Sequence, residues 1–249
     1  MDDTISNNWR SVRERVDAAA VRAGRDPRLV TVVAVTKTHP ADAAAEVVAA
    51  GAADVGENKV QEAAGKFESL RDLLGPAQTM PRRHLIGHLQ SNKAKLAAQN
   101  FDMVHSVDSV KLARDLGRHA MADGGRTLDV LLQVNVSGED SKSGVEPREL
   151  IELVPGILSD ARGVRICGLM TMAPEVDDPE EVRVFFRQLR LIAGAVWEAH
   201  PELAEACGGT GPQLSMGMTG DFEVAVEEGA TLVRVGSAIF GAREYPPPN

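Results

Sequence analysis

The sequence contains little cysteine. Its two cysteines, Cys167 and Cys207, lie far apart, and neither belongs to a C-x-x-C pair or has histidines at zinc-ligand spacing. A structural zinc site is therefore not expected, whereas the spacing alone leaves a disulfide open. The chain also lacks low-complexity segments and any linker long enough to separate two domains. We therefore expect one domain spanning residues 1–249, with its core at about 7–243 and a Pro-rich tail at 244–249.

The sequence also has no excess of basic residues and no long apolar runs. Lys and Arg number 27 against 36 Asp and Glu, which gives a net charge of -9. This charge argues against a nucleic-acid surface or an anionic membrane as the main partner, but it permits a local basic pocket for a small anion. The start, MDDTISNNWR, has no apolar signal-peptide core, and no run reaches the length of a membrane span. We therefore expect a cytoplasmic protein with reduced thiols.

Strand-like apolar runs alternate with amphipathic helical segments along the whole chain. The predicted strands are 29–36, 53–56, 83–88, 102–107, 128–136, 164–172, 212–217 and 231–236, and a helix at 7–24 precedes them. Strands that alternate with helices indicate a parallel sheet. Eight such units in 249 residues predict an α/β fold, a single-domain (β/α)8 TIM barrel with an extra N-terminal helix. A doubly wound open sheet is the alternative.

A lysine follows the first predicted strand, in the stretch LVTVVAVTKTHP. Functional residues of a (β/α)8 barrel collect at the carboxyl ends of the strands, which is where Lys37 falls. Taken alone, Lys37 is more simply interpreted as a solvated residue that ends a strand. Burial in a barrel mouth would instead lower the pKa of a lysine amine and free it to form a Schiff base.

Two glycine-rich turns, SMGMTGD and VGSA, follow the last two predicted strands. Barrels often bind phosphate at these two loops, because glycine lets backbone N–H groups approach an anion. Ser215, Thr219 and Ser237 would add hydroxyl donors, and Asp221 is expected to face away from the site. Ordinary turn and helix-cap chemistry is the alternative explanation of the same residues.

An arginine interrupts the apolar run TLVRV of the last predicted strand. A charged residue inside a barrel strand needs a partner. The simplest interpretation pairs Arg234 with a carboxylate, such as that of Glu57.

Seven ordered motifs together resemble one known family. These motifs are VAVTKTHP, GENKVQE, HLIGHLQSNK, SVDS, QVNVSGEDSKSG, GLMTMAP and LSMGMTGDFEVAVEEGATLVRVGSAIFG. They are similar to the pyridoxal phosphate homeostasis proteins, whose fold resembles the barrel domain of alanine racemase. The resemblance covers roughly residues 7–243 and implies pyridoxal 5'-phosphate (PLP) as the cofactor.

The resemblance also implies a role for individual residues. Lys37 would hold PLP as a Schiff base, Asn58 would lie near the ring edge, and Arg234 would face the pyridine nitrogen. The phosphate would bind at the residues of the two glycine-rich turns, Ser215, Met216, Gly217, Met218, Gly236 and Ser237. Many relatives have Thr where this chain has Ser237, and the hydroxyl is retained.

A guanidinium beside the pyridine nitrogen cannot accept a proton, which weakens PLP as an electron sink. Racemisation further needs a second acid/base group, a role that a tyrosine or a histidine can take. The only tyrosine, Tyr245, lies in the Pro-rich tail, and His84 and His88 are expected to be structural. Lys142 could be a second amine for PLP, although a solvated loop lysine is the simpler interpretation.

The resulting prediction is a PLP-binding protein of intracellular PLP homeostasis, which buffers and delivers the cofactor with little or no turnover. The expected partners are PLP and, transiently, PLP-dependent apoenzymes, and a monomer is expected. Two alternatives stay open. The first is a PLP-dependent amino-acid racemase of narrow scope. The second is a cofactor-free aldolase-type lyase that uses Lys37 directly.

Overall fold

The structure, a computed structural model, describes residues 4–139 and 143–241. Eight parallel strands close into a barrel, in which each strand pairs with the next and the last pairs with the first. The strands are β1 (Thr31–Val35), β2 (Asp54–Glu57), β3 (Arg82–Leu85), β4 (Met103–Val107), β5 (Leu128–Gln133), β6 (Val164–Met170), β7 (Gln213–Ser215) and β8 (Leu232–Val235). The predicted (β/α)8 barrel is therefore confirmed. The open doubly wound sheet is wrong, because β8 hydrogen-bonds to β1.

Helices surround the barrel. They are α1 (Thr4–Arg22), α2 (Ala41–Ala49), α3 (Val60–Leu74), α4 (Ala94–Asn100), α5 (Val110–Ala122), α6 (Leu150–Asp160), α7 (Arg183–Ala199), α8 (Pro201–Ala206), α9 (Phe222–Glu227) and α10 (Ser237–Phe240). The extra helix α1 packs against α2, α9 and α10 through a buried stripe that includes Trp9, Val12 and Val16. Within the described residues, no helix is both long and apolar enough to cross a bilayer.

Successive side chains of each strand point to opposite faces of the sheet, and this alternation divides the buried side chains into two groups. One face of the sheet packs against the helices and forms the larger apolar layer, here called the shell. The other face points into the barrel, here called the interior. The apolar part of the interior is small: Val33, Met103, Leu131, Cys167, Met170 and Leu232. His84, His105, Ser215 and Arg234 are buried as well and are polar.

Both cysteines are free thiols. Cys167 is buried on β6, and Cys207, after α8, packs against the same interior cluster. Burial raises the pKa of the Cys167 thiol, so this sulfur stays protonated at neutral pH. The disulfide that the spacing had left open is not formed.

Candidate functional site

Lys37 lies two residues beyond the end of β1, at the mouth formed by the carboxyl ends of the strands, and is partly buried. The next residue, Thr38, has a left-handed backbone with φ 68°. This conformation is a genuine outlier for a β-branched residue. One residue further, His39 stacks on Phe240 of α10 with ring centroids 4.8 Å apart. The chain therefore turns sharply after the lysine, and the turn contacts the segment that follows β8.

A buried carboxylate ties together the elements beneath Lys37. One Glu57 oxygen, Oε1, accepts hydrogen bonds from Thr36 Oγ1 at 2.6 Å and from Lys66 Nζ at 2.6 Å. Lys66 also donates to the backbone carbonyl of Thr36 at 2.7 Å. These contacts, here called the Glu57 clamp, join the ends of β1 and β2 to α3. The other Glu57 oxygen is buried and has no hydrogen-bond partner among the described residues.

Arg234 projects into the interior from β8 and is almost completely buried. Its Nη1 donates to Ser215 Oγ at 2.6 Å, and its Nη2 donates to the Thr171 carbonyl at 2.9 Å. The pairing with Glu57 that the sequence suggested is wrong, because Glu57 pairs with Lys66. Burial lowers the pKa of Arg234 to about 10, and the charge of Asp221 partly opposes this effect. Among the described residues, no carboxylate is in direct contact with this buried cation.

A chain of hydrogen bonds, here called the relay, continues from Arg234 through the interior. The Ser215 hydroxyl lies 2.8 Å from His105 Nδ1, and His105 Nε2 lies 2.8 Å from His84 Nδ1. His84 Nε2 then lies 2.8 Å from Asp54 Oδ1. Asp54 is the first residue of β2, and Ser215 is the last residue of β7, so the relay crosses from one end of the barrel toward the other.

The sequence did not point to His105 or Asp54. The available signal was a histidine in the middle of the otherwise apolar run DMVHSV, a position that requires a buried polar partner. His84 was expected to be structural, and both of its ring nitrogens are engaged in the relay. His88 is exposed, 4.0 Å from the Asp108 carboxylate.

The two glycine-rich turns lie side by side at the mouth. Gly217 has φ 91°, and a Cβ there would lie 2.5 Å from the Cβ of Ala225, so only glycine fits. Within the described residues, the backbone N–H groups of Gly217, Gly236 and Ser237 donate to no other protein group. These three donors are therefore available to an external acceptor.

Asp221 turns back onto its own loop and accepts a hydrogen bond from the backbone N–H of Met218 at 2.5 Å. Its expected orientation away from the phosphate site stays a prediction. Burial raises the pKa of its carboxyl group. Met216 is buried and Met218 is exposed, whereas the Ser215 hydroxyl is engaged by Arg234 and His105. The site roles of Ser215, Met216 and Met218 stay predictions.

Asn58 lies on the loop after β2 and is partly buried. Its backbone packs tightly against Gly87, where a Cβ would lie 2.3 Å from the Asn58 carbonyl oxygen. Two residues discussed above, Lys142 and Tyr245, lie outside the described residues. In the part of the chain that the structure describes, no cluster of His, Cys, Asp and Glu could hold a metal ion.

The fold places the chain in a known class. The family described as alanine racemase, N-terminal domain, matches residues 2–244. The alanine racemase of Corynebacterium glutamicum shares the fold with a TM-score of 0.63, over 96% of this chain and 60% of that one, at 16% identity. The molecule is therefore an alanine-racemase-type barrel.

Sequence similarity is more specific, and the chain belongs to the pyridoxal phosphate homeostasis protein family. The protein of that name from Aquifex aeolicus is 41% identical over 94% of this chain and 96% of its own length. The one from Pseudomonas aeruginosa is 42% identical over 98% of both chains. The structure of PipY from Synechococcus elongatus, with PLP bound, is 40% identical with a TM-score of 0.76, covering 92% of this chain and 100% of that one. The resemblance inferred from the motifs is confirmed.

Proposed function

We propose that this chain binds PLP at the barrel mouth and serves intracellular PLP homeostasis by buffering and delivering the cofactor. One observation carries the proposal: β8 pairs with β1, with Arg234 in register with Val33. That pairing brings Lys37, Arg234 and the Gly236–Ser237 turn to neighbouring strands at one mouth.

The groups at the mouth fit the chemistry of PLP. The backbone N–H groups of Gly217, Gly236 and Ser237 are unused donors of the kind that bind phosphate oxygens. Arg234 has further N–H groups beyond the two in its protein hydrogen bonds, and a guanidinium carries five. Lys37 supplies an amine at the same mouth. Phosphate, ring nitrogen and aldehyde would each meet a group of matching chemistry.

When bound, PLP supplies an aldehyde that condenses reversibly with an amine, together with an electron-poor ring. Lys37 would hold the cofactor through that reversible bond, and Asn58 would lie at the ring edge. Arg234 can only donate, so it would leave the ring nitrogen as an acceptor. The residues of the two turns would anchor the phosphate. This arrangement favours holding PLP over stabilising a carbanion.

Among the described residues at the mouth, the histidines are poorly placed to act as the second acid/base group that racemisation needs. Both ring nitrogens of His84 are engaged in buried hydrogen bonds, so His84 is not available as a second acid/base group there. His88 is exposed and lies beside Asp108. We therefore propose little or no racemase activity, and exchange of the Cα hydrogen across a panel of amino acids would measure it.

The same proposal includes a monomer that acts in the cytoplasm and contacts PLP-dependent apoenzymes transiently. The free thiols of Cys167 and Cys207 are consistent with a reducing compartment. Size-exclusion chromatography with light scattering checks the monomer. Activation of a PLP-free enzyme by the loaded protein, compared with an equal amount of free PLP, checks delivery.

The test of binding is reductive trapping. The protein is incubated with PLP and treated with borohydride, and the modified lysine is located by mass spectrometry. We expect the mass of a pyridoxyl-phosphate group on Lys37, together with a visible absorbance that Lys37→Ala removes. The exposed Lys59→Ala is the matched control and keeps the signal.

Failure to take up PLP would contradict the proposal, as would trapping on another lysine with Lys37 unmodified. Trapping of a sugar fragment on Lys37, after incubation with sugar phosphates, would instead favour the cofactor-free aldolase-type reaction.

A further inference from the structure

The relay is an unusual use of a barrel interior. Interiors of parallel barrels are mostly filled by branched aliphatic side chains. Here four buried polar side chains from four strands form one continuous line that ends on Asp54. None of the roles proposed above for the mouth requires His105, His84 or Asp54.

The two ends of the relay fix the direction of every hydrogen bond. Arg234 can only donate, and the Asp54 carboxylate can only accept. His84 Nε2 must therefore carry the proton that faces Asp54, which leaves Nδ1 of a neutral His84 as the acceptor from His105 Nε2–H. His105 Nδ1 then accepts from the Ser215 hydroxyl, and Ser215 Oγ accepts from Arg234. All four bonds donate in the same sense, from Arg234 to Asp54.

Both histidines must be neutral for this order to hold. Burial lowers the pKa of His84, although Asp54 and Asp102 oppose this and Arg82 reinforces it. Burial lowers the pKa of His105 further, and the charges of His84, Arg234 and Arg82 act in the same direction. Each imidazole thus carries one proton, on Nε2.

A comparison with the Glu57 clamp shows what is specific about the relay. In the clamp, a buried carboxylate meets its cation directly, with Lys66 Nζ 2.6 Å away. Within residues 4–139 and 143–241, Arg234 instead connects to a carboxylate through three neutral groups, Ser215, His105 and His84. A salt bridge that only neutralised Arg234 would not need this separation. The intervening groups leave the guanidinium a cation while connecting it to a distant negative charge.

We propose that Asp54, His84 and His105 are positioning residues for Arg234, which they orient and polarise through a single-direction relay, so that the charge of Asp54 influences the cofactor. Because the effect is exerted on bound PLP, this inference rests on the proposed function. Removal of the Asp54 charge increases the positive potential that Arg234 presents at the mouth. A more positive surrounding favours the deprotonated form of a bound cofactor that titrates.

The first experiment needs no cofactor. Nitrogen-15 NMR of histidine-labelled wild-type protein reports the tautomer and charge of each ring. We expect His84 and His105 to be neutral at pH 7, with the proton on Nε2 in both. His88, which is exposed, serves as an internal reference for a solvated ring. A proton on Nδ1 of either relay histidine, or a charged ring, would overturn the relay.

The second experiment uses the PLP-loaded protein and the variant Asp54→Asn, whose amide oxygen can still accept from His84. We expect the pH-dependent absorbance change of bound PLP to move to lower pH by roughly half a unit to one unit, from the loss of a unit charge across a protein interior. The control Asp72→Asn removes the same charge from an exposed surface position and leaves the titration unchanged.

Failure of the proposed function and failure of the relay inference give different experimental results. A protein that binds no PLP contradicts the proposed function, and the NMR tautomers still decide the relay. A protein that binds PLP but titrates identically with Asp54→Asn and Asp72→Asn contradicts the coupling and leaves the proposed function intact.

Discussion

The two buried regions of the barrel differ in what holds them together. The shell between sheet and helices is apolar and built from many valine, leucine and alanine side chains, with Phe101, Phe186 and Phe222 fully buried in it. The interior has a small apolar cluster and, beside it, a connected set of hydrogen-bonded polar residues. Burial of apolar surface stabilises without direction, whereas hydrogen bonds specify which atom faces which.

Within one sheet, the shell face therefore contributes mainly to stability, whereas the interior face carries the groups of the site. Val32 and Ala34 of β1 point into the shell, and Val33 between them points into the interior. The same alternation places Arg234 of β8 inside, between Val233 and Val235 in the shell. Changes in the shell should therefore alter unfolding, and changes in the interior should alter the ionisation and orientation of the site groups.

The largest expected effect comes from the shell. Phe101 is fully buried and packs edge-to-face on Phe67, with ring centroids 5.5 Å apart. We expect Phe101→Ala to lower the free energy of unfolding by about 3–5 kcal/mol, because it leaves a cavity. Chemical denaturation measures the loss. Borohydride trapping on Lys37 at low denaturant should be unchanged, and its loss would show that shell and site are not separable.

A slightly smaller effect is expected at the Glu57 clamp. Lys66→Met removes the cation and leaves the buried Glu57 carboxylate unpaired, at a cost of about 3 kcal/mol. Chemical denaturation again measures it. The double variant Lys66→Met with Glu57→Gln removes the uncompensated charge and should recover part of the loss. If the double variant were no more stable than Lys66→Met, the clamp would not act through charge.

The histidines of the relay predict a pH dependence of stability. Burial lowers the pKa of His84 and His105 in the folded protein. In the unfolded chain a histidine has its ordinary pKa of about 6.5, so below that pH the unfolded chain binds more protons than the folded protein. Stability is then fully present above that pH and falls as the pH drops toward the folded values, by at most about 1.4 kcal/mol per pH unit for each histidine. Unfolding curves from pH 7 to pH 5 measure the slope, which His105→Gln should reduce. An identical slope in that variant would contradict the neutral relay.

The smallest effect concerns the turn after Lys37. Thr38 adopts a left-handed backbone that Asn tolerates better than a β-branched residue. We expect Thr38→Asn to stabilise the protein by about 0.5–1 kcal/mol. If the strained turn orients Lys37, the rate of trapping with PLP should change as well. Thr79→Asn, on a loop elsewhere in the chain, is a control for the substitution itself.

Much of the fold could be predicted from the sequence because apolar periodicity is local. The closed barrel followed from eight alternating strand and helix patterns, and even the short β2 lies within one residue of its predicted position. Element ends were less accurate. The strand predicted at 128–136 ends at Gln133, and the helix predicted at 7–24 spans Thr4–Arg22.

The relay could not be predicted because its partners are distant in the chain. His105 and Ser215 are 110 residues apart, and only closure of the barrel brings them within hydrogen-bond distance. The pairing of Arg234 was wrong for the same reason: composition shows that a buried charge needs a partner, but it does not show which strand provides one. Lys37 was easier to identify, since its place after a strand is visible in one local run.

The relay also separates a positive and a negative charge along the barrel. Its positive group, Arg234, lies toward the carboxyl ends of the strands, and its negative group, Asp54, lies at the amino end of β2. A protein of net charge -9 repels phosphate esters on average. A buried cation beneath the mouth, with its counter-charge held at the far end, reverses that sign locally. Association with small anions should therefore be steered toward one end of the barrel and should slow as ionic strength rises.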